Sequence, residues 1–281
     1  MMIARTISDV RCAVKAWRKE GLTIGLVPTM GYLHEGHASL VKAAKASCDR
    51  VVVSVFVNPT QFGPNEDLES YPRDFEHDCT LLEGLGTDLV FHPDPAELYF
   101  PDAATWVEVP ALAKNLCAKT RPTHFRGVCT VVSKLFHIAA PDKAFFGQKD
   151  AQQLAVIRRM VRDLNFDLEI VGCPIVREAD GLAKSSRNTY LNPKERQAAL
   201  ILNRSLKKGE ALIEAGETDT GRLLAVIKES ISTEPLATLD YAEAVDADSM
   251  KPVATVEGNV LFAIAVYIGK TRLIDNFVVS R

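Results

Sequence analysis

Apolar residues along the first two thirds of the chain follow two rhythms in alternation. Residues 24–27, 50–57, 88–92, 143–146 and 167–174 are short apolar runs bounded by turn formers, as strands covered on both faces should be. Between them, apolar positions recur at helical spacing: over 7–20; at Leu40, Val41, Ala44 and Cys48; at Phe75, Cys79 and Leu82 in a helix from about Tyr71; and over 128–138. A further helix opens at 147–150 and runs to about Arg162, while prolines punctuate 93–122, an irregular stretch with one short strand at 105–109. Strand–helix alternation predicts an α/β fold, a parallel sheet wound by right-handed crossovers. The rhythm then changes. Two amphipathic helices, 193–215 and 220–229, precede three strands at 239–245, 259–268 and 271–279, which predicts a smaller C-terminal α+β domain. The boundary falls near Val176, giving domains of 1–175 and 176–281.

The 281 residues are enough for a substantial core, and 47% hydrophobic with 25% charged residues is ordinary for a globular protein. A net charge of −3 argues against a general nucleic-acid or membrane-surface binder. No apolar run approaches the roughly 20 residues that span a bilayer, and residues 1–17 carry no signal-peptide core. The six cysteines, without C-x-x-C pairs, read as buried reduced thiols of a cytoplasmic protein.

In wound parallel sheets, ligands lie beyond the carboxyl ends of the strands. Three polar loops sit at such ends here: 28–37, 58–63 and 147–150. The first carries His34-Glu35-Gly36-His37 at the start of a helix, where unpaired N–H groups favour an anion such as phosphate and Gly36 permits close approach. A solvated helix start with two incidental histidines fits the same residues. Lys149-Asp150 is a cation–anion pair past another strand end, or an exposed ion pair. Asn58 and Gln61 suit a small polar substrate, though an Asn-Pro turn alone explains Asn58. Arg121, His124 and Arg126 suggest a basic rim for an acidic substrate, with plain surface positions as the alternative. Gly181-Leu-Ala-Lys-Ser-Ser-Arg-Asn188 joins hydroxyls and cations that match phosphate, or is a polar interdomain linker. The spacing of His34 and His37 is wrong for an H-E-x-x-H zinc helix; G-x-S-x-G, G-x-G-x-x-G and the P-loop are missing.

Six blocks in order, P-T-M-G-x-L-H-x-G-H, F-V-N-P-x-Q-F-G, Y-P-R, H-F-x-G-V, F-G-x-K-D-x-Q-Q and D-G-L-A-x-S-S-R-N, resemble the pantoate–β-alanine ligases, within the superfamily that includes class I aminoacyl-tRNA synthetases. The resemblance spans essentially the whole chain. It implies a Rossmann-like first domain with helices on both faces of the sheet, a smaller second domain and a cytoplasmic homodimer. It further implies a reaction in which pantoate and ATP give an acyl adenylate and pyrophosphate, and β-alanine then displaces AMP. Carried over by position, Met30, Gly31, Tyr32, Leu33, His34, Glu35, Gly36 and His37 bind ATP, with His37 assigned as the acid. Gly147, Gln148, Lys149 and Asp150, with Lys184, Ser185, Ser186 and Arg187, are further ATP contacts, and Val176 meets the adenine. His34, His37, Lys149 and Arg187 carry the catalysis. Gln61, Gln153 and Asn58 hold pantoate and β-alanine. Mg²⁺ would be bound mainly through phosphate oxygens, with Asp150 as the candidate carboxylate. Lys184 departs from the apolar residue usual at its position. The alternative is a nucleotidylyltransferase that keeps AMP in its product.

Overall fold

A computed structural model describes residues 1–64 and 66–281. In chain order its elements are β1 (Met2–Ala4), α1 (Ile7–Lys19), β2 (Ile24–Thr29), α2 (Glu35–Ser47), β3 (Arg50–Val55), α3 (Phe75–Gly84), β4 (Leu89–Phe91), α4 (Pro95–Leu98) and α5 (Cys117–Thr120). There follow α6 (His124–Ala139), β5 (Lys143–Gly147), α7 (Ala151–Asp163), β6 (Glu169–Cys173), α8 (Pro193–Ala198), α9 (Leu200–Glu214), α10 (Thr220–Ser232), β7 (Ala237–Asp246), β8 (Asn259–Ile268) and β9 (Thr271–Ser280).

Among the described residues the first sheet has six strands in the order β1-β4-β3-β2-β5-β6, all parallel. From β2 the chain steps outward through β3 to β4, then returns to β5 and β6 on the other side. The winding therefore reverses between β2 and β5, the switch point where such sheets open a crevice. Val27, Val53, Val90 and Phe145 of the strands pack against Val41 and Ala44 of α2 and Leu82 of α3. Each large side chain so buried contributes about 1.5–3 kcal/mol. The second sheet is antiparallel, β7-β8-β9, and buries Phe262, Ile264 and Phe277 against Leu206 of α9 and Leu223 and Ile227 of α10. This is the α/β architecture with a small α+β companion that the patterning predicts. Among the described residues no helix is long and apolar enough to cross a membrane.

The contacts group the chain into two compact units. Unit 1 holds residues 1–109, 121–148 and 156–174; unit 2 holds 110–120, 149–155 and 175–281. The single boundary near Val176 thus misses two excursions, one around α5 and one at the start of α7. Both are tied to unit 2 by polar contacts that hydrophobic patterning does not register. Cys117 N–H donates to Gln152 Oε1 at 3.0 Å, and Asn115 Nδ2 donates to the Met250 carbonyl at 3.0 Å.

Other elements also depart from the expectation. Residues 105–109 form no strand, since the Val107 N–H donates to Thr130 Oγ1 instead of to a neighbouring strand. Helix α3 begins at Phe75 rather than near Tyr71, because Asp74 caps it by accepting the His77 N–H at 3.0 Å. Helix α6 begins four residues earlier than its apolar run, with buried His124 and Gly127 on its core side. Residues 193–215 divide at Ala199, whose carbonyl accepts an i→i+3 bond from Leu202. The short edge strand β1 precedes the first helix and is not among the strands that the patterning predicts.

Candidate active site

At the switch point β2 ends in Thr29, whose hydroxyl donates to the Ser54 carbonyl of neighbouring β3 at 2.7 Å. The chain then turns through two left-handed residues, Gly31 (φ +84°) and Tyr32 (φ +52°). Asp78 of α3, 1% exposed, fixes this turn by accepting the Tyr32 N–H at 2.9 Å and the Leu33 N–H at 2.7 Å. Burial pushes the Asp78 carboxyl above its usual range, against the pull of those two N–H bonds. A Cβ at Gly31 would lie 3.0 Å from Asp78 Oδ2 and 3.1 Å from Val55 Cγ1, so this position needs glycine for both space and dihedral.

The turn delivers two histidines to the N-terminus of α2. His34 is the N-cap: its Nδ1 accepts the Gly36 N–H at 3.1 Å, and the His34 N–H in turn donates to His37 Nδ1 at 3.3 Å. The rings stand 4.1 Å apart between centroids, tilted by 39°. With both Nδ1 atoms accepting, the hydrogen-bond network assigns the ring proton of each neutral histidine to Nε2. Met30 precedes the turn, and Glu35 at the first helical position is exposed. Asp78 is a residue that hydrophobic patterning misses; its only sequence signal is a polar residue on the buried side of an amphipathic helix.

The loop after β3 forms a 3₁₀ turn, Pro59–Gln61, that displays Gln61. Asn58 Nδ2 donates to Gln61 Oε1 at 3.1 Å and to the Gly127 carbonyl at 3.2 Å. Its Oδ1 accepts from Tyr99 Oη at 2.8 Å and Thr60 Oγ1 at 2.9 Å. The Asn58 amide is therefore saturated by protein partners, and its work is to orient Gln61. Gln61 Nε2 reaches Met30 Sδ at 3.2 Å. Burial and the Thr60 hydroxyl act in opposite senses on Tyr99, whose phenol ends above its usual value.

The basic rim expected from Arg121, His124 and Arg126 is not what the structure builds. Arg121 is bonded through Nε to Glu66 Oε1 at 2.9 Å and is also paired with Oε2. It reaches the Gln61 carbonyl at 3.4 Å, and His124 Nδ1 lies 3.0 Å from the same oxygen. Burial alone would raise the Glu66 carboxyl, but Arg121 holds it below the usual carboxylate range. Arg126 lies over the Trp106 ring at 4.7 Å and pairs with Glu108 at 3.5 Å. Arg121 and His124 brace the Gln61 turn, and Arg126 an outlying segment. They are committed to protein partners because each sits beside a carboxylate or a carbonyl that sequence spacing does not bring near.

In unit 2, Lys149 Nζ stands 3.9 Å from Asp150 Oδ2, in a 3₁₀ turn whose first residue, Gln148, belongs to unit 1 beside Gly147 at the end of β5. Gln153 is half-buried on α7. Residues 176–184 fold back as a narrow hairpin: the Lys184 N–H donates to the Val176 carbonyl at 2.9 Å and the Glu178 N–H to the Leu182 carbonyl at 2.8 Å. Gly181 turns it at φ +98° against Asn203. Ser185 then caps a 3₁₀ turn, Ser186–Tyr190, by accepting the Arg187 N–H at 3.3 Å, with Ser186 buried. Arg196 fastens the hairpin from α8, donating to Glu178 at 2.7 Å and to Asp180 at 2.9 and 3.0 Å. Among the described residues no group of three or more His, Cys, Asp or Glu is arranged to hold a metal ion.

The sequence profile of the pantoate–β-alanine ligases matches residues 2–278. The chain belongs to the pantoate–β-alanine ligase family. It is 58% identical to a pantothenate synthetase of Clostridium acetobutylicum over 277 residues, 99% of each chain. Among solved structures it is similar to the pantothenate synthetase of Thermus thermophilus, with a TM-score of 0.93, 42% identity and 99% of each chain covered. The pantoate–β-alanine ligase of Francisella tularensis, solved in complex with β,γ-ATP and β-alanine, matches with a TM-score of 0.80 and 34% identity over 99% of this chain and 97% of that one. The chain is thus an enzyme of this family, a ligase that joins pantoate to β-alanine.

Proposed function

We propose that the chain makes pantothenate through pantoyl adenylate, with ATP as the activating substrate. A carboxylate oxygen of pantoate attacks the α-phosphorus, the bond to pyrophosphate breaks, and the amine of β-alanine then attacks the acyl carbon. AMP departs with the carboxylate oxygen, and the amine loses a proton as the amide forms. The observation that carries this reading is the interlocked histidine cap at the switch point. Two Nε2–H donors beside a helix N-terminus suit the charge that develops on phosphoryl oxygens during attack.

In this reading Met30, Gly31, Tyr32, Leu33, His34, Glu35, Gly36 and His37 form the ATP turn. Gly147, Gln148, Lys149, Asp150, Ser185, Ser186 and Arg187 contact phosphates, Val176 the adenine, and Lys184 contributes through its backbone. Lys149 and Arg187 neutralise charge, the guanidinium matching phosphate in a two-pronged geometry. Gln61, its amide fixed by Asn58, and Gln153 bind the pantoate hydroxyl and carboxylate. The described residues offer Asp150 and no carboxylate cluster, a donor set that fits Mg²⁺ held chiefly by phosphate oxygens. When bound, the ion would neutralise the pyrophosphate end. A cytoplasmic homodimer completes the proposal, and light scattering at assay concentration measures the oligomeric state.

A coupled assay tests the reading. With all three substrates, pantothenate, AMP and pyrophosphate should appear in equal amounts. AMP release that does not depend on β-alanine would overturn the ligase reading, and AMP retained in the product would favour the nucleotidylyltransferase alternative.

A further inference from the structure

Strand β9 carries Asp275, Asn276 and Phe277 in succession, all buried. A half-exposed antiparallel strand alternates, so three buried residues in a row mean both faces are covered here. Two of the three are polar, and each is satisfied by an element whose residues the proposed reaction uses. Asp275, with 1% of its side chain exposed, receives the Arg177 guanidinium on both oxygens, at 2.7 and 2.9 Å. Arg177 also donates to the Gly181 carbonyl at 3.1 Å, so this one guanidinium spans the hairpin that leads into Lys184–Arg187. The Asp275 Oδ1 accepts the Asn276 N–H at 2.8 Å, which ties the carboxylate to its own strand. Asn276 Nδ2 in turn donates to the Lys149 carbonyl at 2.8 Å.

We infer that Asp275 and Asn276 are positioning residues that set Lys149 and the Lys184–Arg187 turn in register from a single strand. The inference rests on the assignment of Lys149 and Lys184–Arg187 to the ATP phosphates. A bidentate guanidinium–carboxylate pair fixes direction as well as distance, and a buried amide donor on a main-chain oxygen holds the Lys149 backbone. Lys149 and the Lys184–Arg187 turn thereby keep one spacing, since a strand hydrogen-bonded to β8 over its whole length does not flex independently. Errors of about 1 Å in such placement cost on the order of a hundredfold in rate.

The test uses the full-length enzyme and pantoate-dependent exchange of labelled pyrophosphate into ATP, which reads the first half-reaction alone. Asn276→Ala, which removes the donor to the Lys149 carbonyl, should lower the exchange rate by about tenfold to a hundredfold. The melting temperature should fall by no more than a few degrees, leaving the variant folded at the assay temperature, and the Michaelis constant for β-alanine should stay at its wild-type value. Arg177→Lys, which keeps the charge and loses the fork, should lower exchange similarly. Adding Asp275→Asn to Arg177→Lys should then cost little more, as expected of residues acting as one unit. Wild-type exchange in both single variants overturns the inference, as does a loss explained wholly by a lower folded fraction. Absence of exchange in the wild-type protein would instead overturn the adenylate reading on which it rests.

Discussion

His34 and His37 cap the backbone of α2 with Nδ1 and keep their ring protons on Nε2. An asparagine at position 37 reproduces the Nδ1 acceptor through its Oδ1 but has no group where Nε2 stands. On the proposed role of His37 in the transition state, His37→Asn should lower kcat by about a hundredfold while leaving the melting temperature unchanged, because the Nε2 donor is lost and the cap is kept. Steady-state kinetics beside a thermal melt checks it, and equal losses of kcat and of ATP affinity would make His37 a ground-state ligand. Asp78→Asn places an amide N–H where Asp78 accepts one of two backbone N–H groups. It should reduce kcat while the Michaelis constant for pantoate holds. Glu66 supplies the pH dependence. Its folded carboxyl lies below the unfolded value, about 4.3, so its pair with Arg121 stabilises the fold above that pH and is lost as pH falls through the folded value. Arg121→Gln should flatten the acid limb of a stability-versus-pH curve and raise the Michaelis constant for pantoate.

At the scale of elements, the close approach of α6 decides the shape of the Gln61 turn proposed to hold pantoate. A Cβ on Gly127 would fall 2.4 Å from the Thr60 carbonyl oxygen and 2.6 Å from Gln61 Cα. Gly127→Ala should cost about 1–3 kcal/mol in denaturant unfolding and raise the Michaelis constant for pantoate. Gly84→Ala at the end of α3, where a Cβ meets nothing within 4 Å, should change neither. The same contact shows why α6 is only partly legible in the sequence. Its first turn faces the core with a histidine and a glycine, which carry no apolar period. Strands β2, β3 and β5, by contrast, are buried throughout or nearly so, and their runs announce themselves. The loops at their ends were legible as polar turns, while the phosphate chemistry read from the H-x-G-H and K-S-S-R-N stretches belongs to the proposed function. The residues that orient them were not: Asp78, Arg177, Asp275 and Asn276 act across 45 to 127 positions of sequence, a distance that local patterning does not bridge.

For the whole molecule, family membership and architecture agree with the order of the six sequence blocks, while the contacts group the chain into two units whose limits differ from the single boundary. The cysteines also divide more finely than uniform burial predicts. Cys12 is exposed and Cys79 intermediate, while burial pushes the Cys129 thiol up to about 12. A thiol reagent at pH 8 should label Cys12 first and Cys129 last, as mass spectrometry of timed samples would record.

The adenylate route makes the sharpest demand of all. Pantoate carrying ¹⁸O in its carboxylate, turned over with ATP and β-alanine, must pass one labelled oxygen to AMP and none to pyrophosphate. AMP without the label, or label recovered in orthophosphate, would contradict attack of the carboxylate on the α-phosphorus.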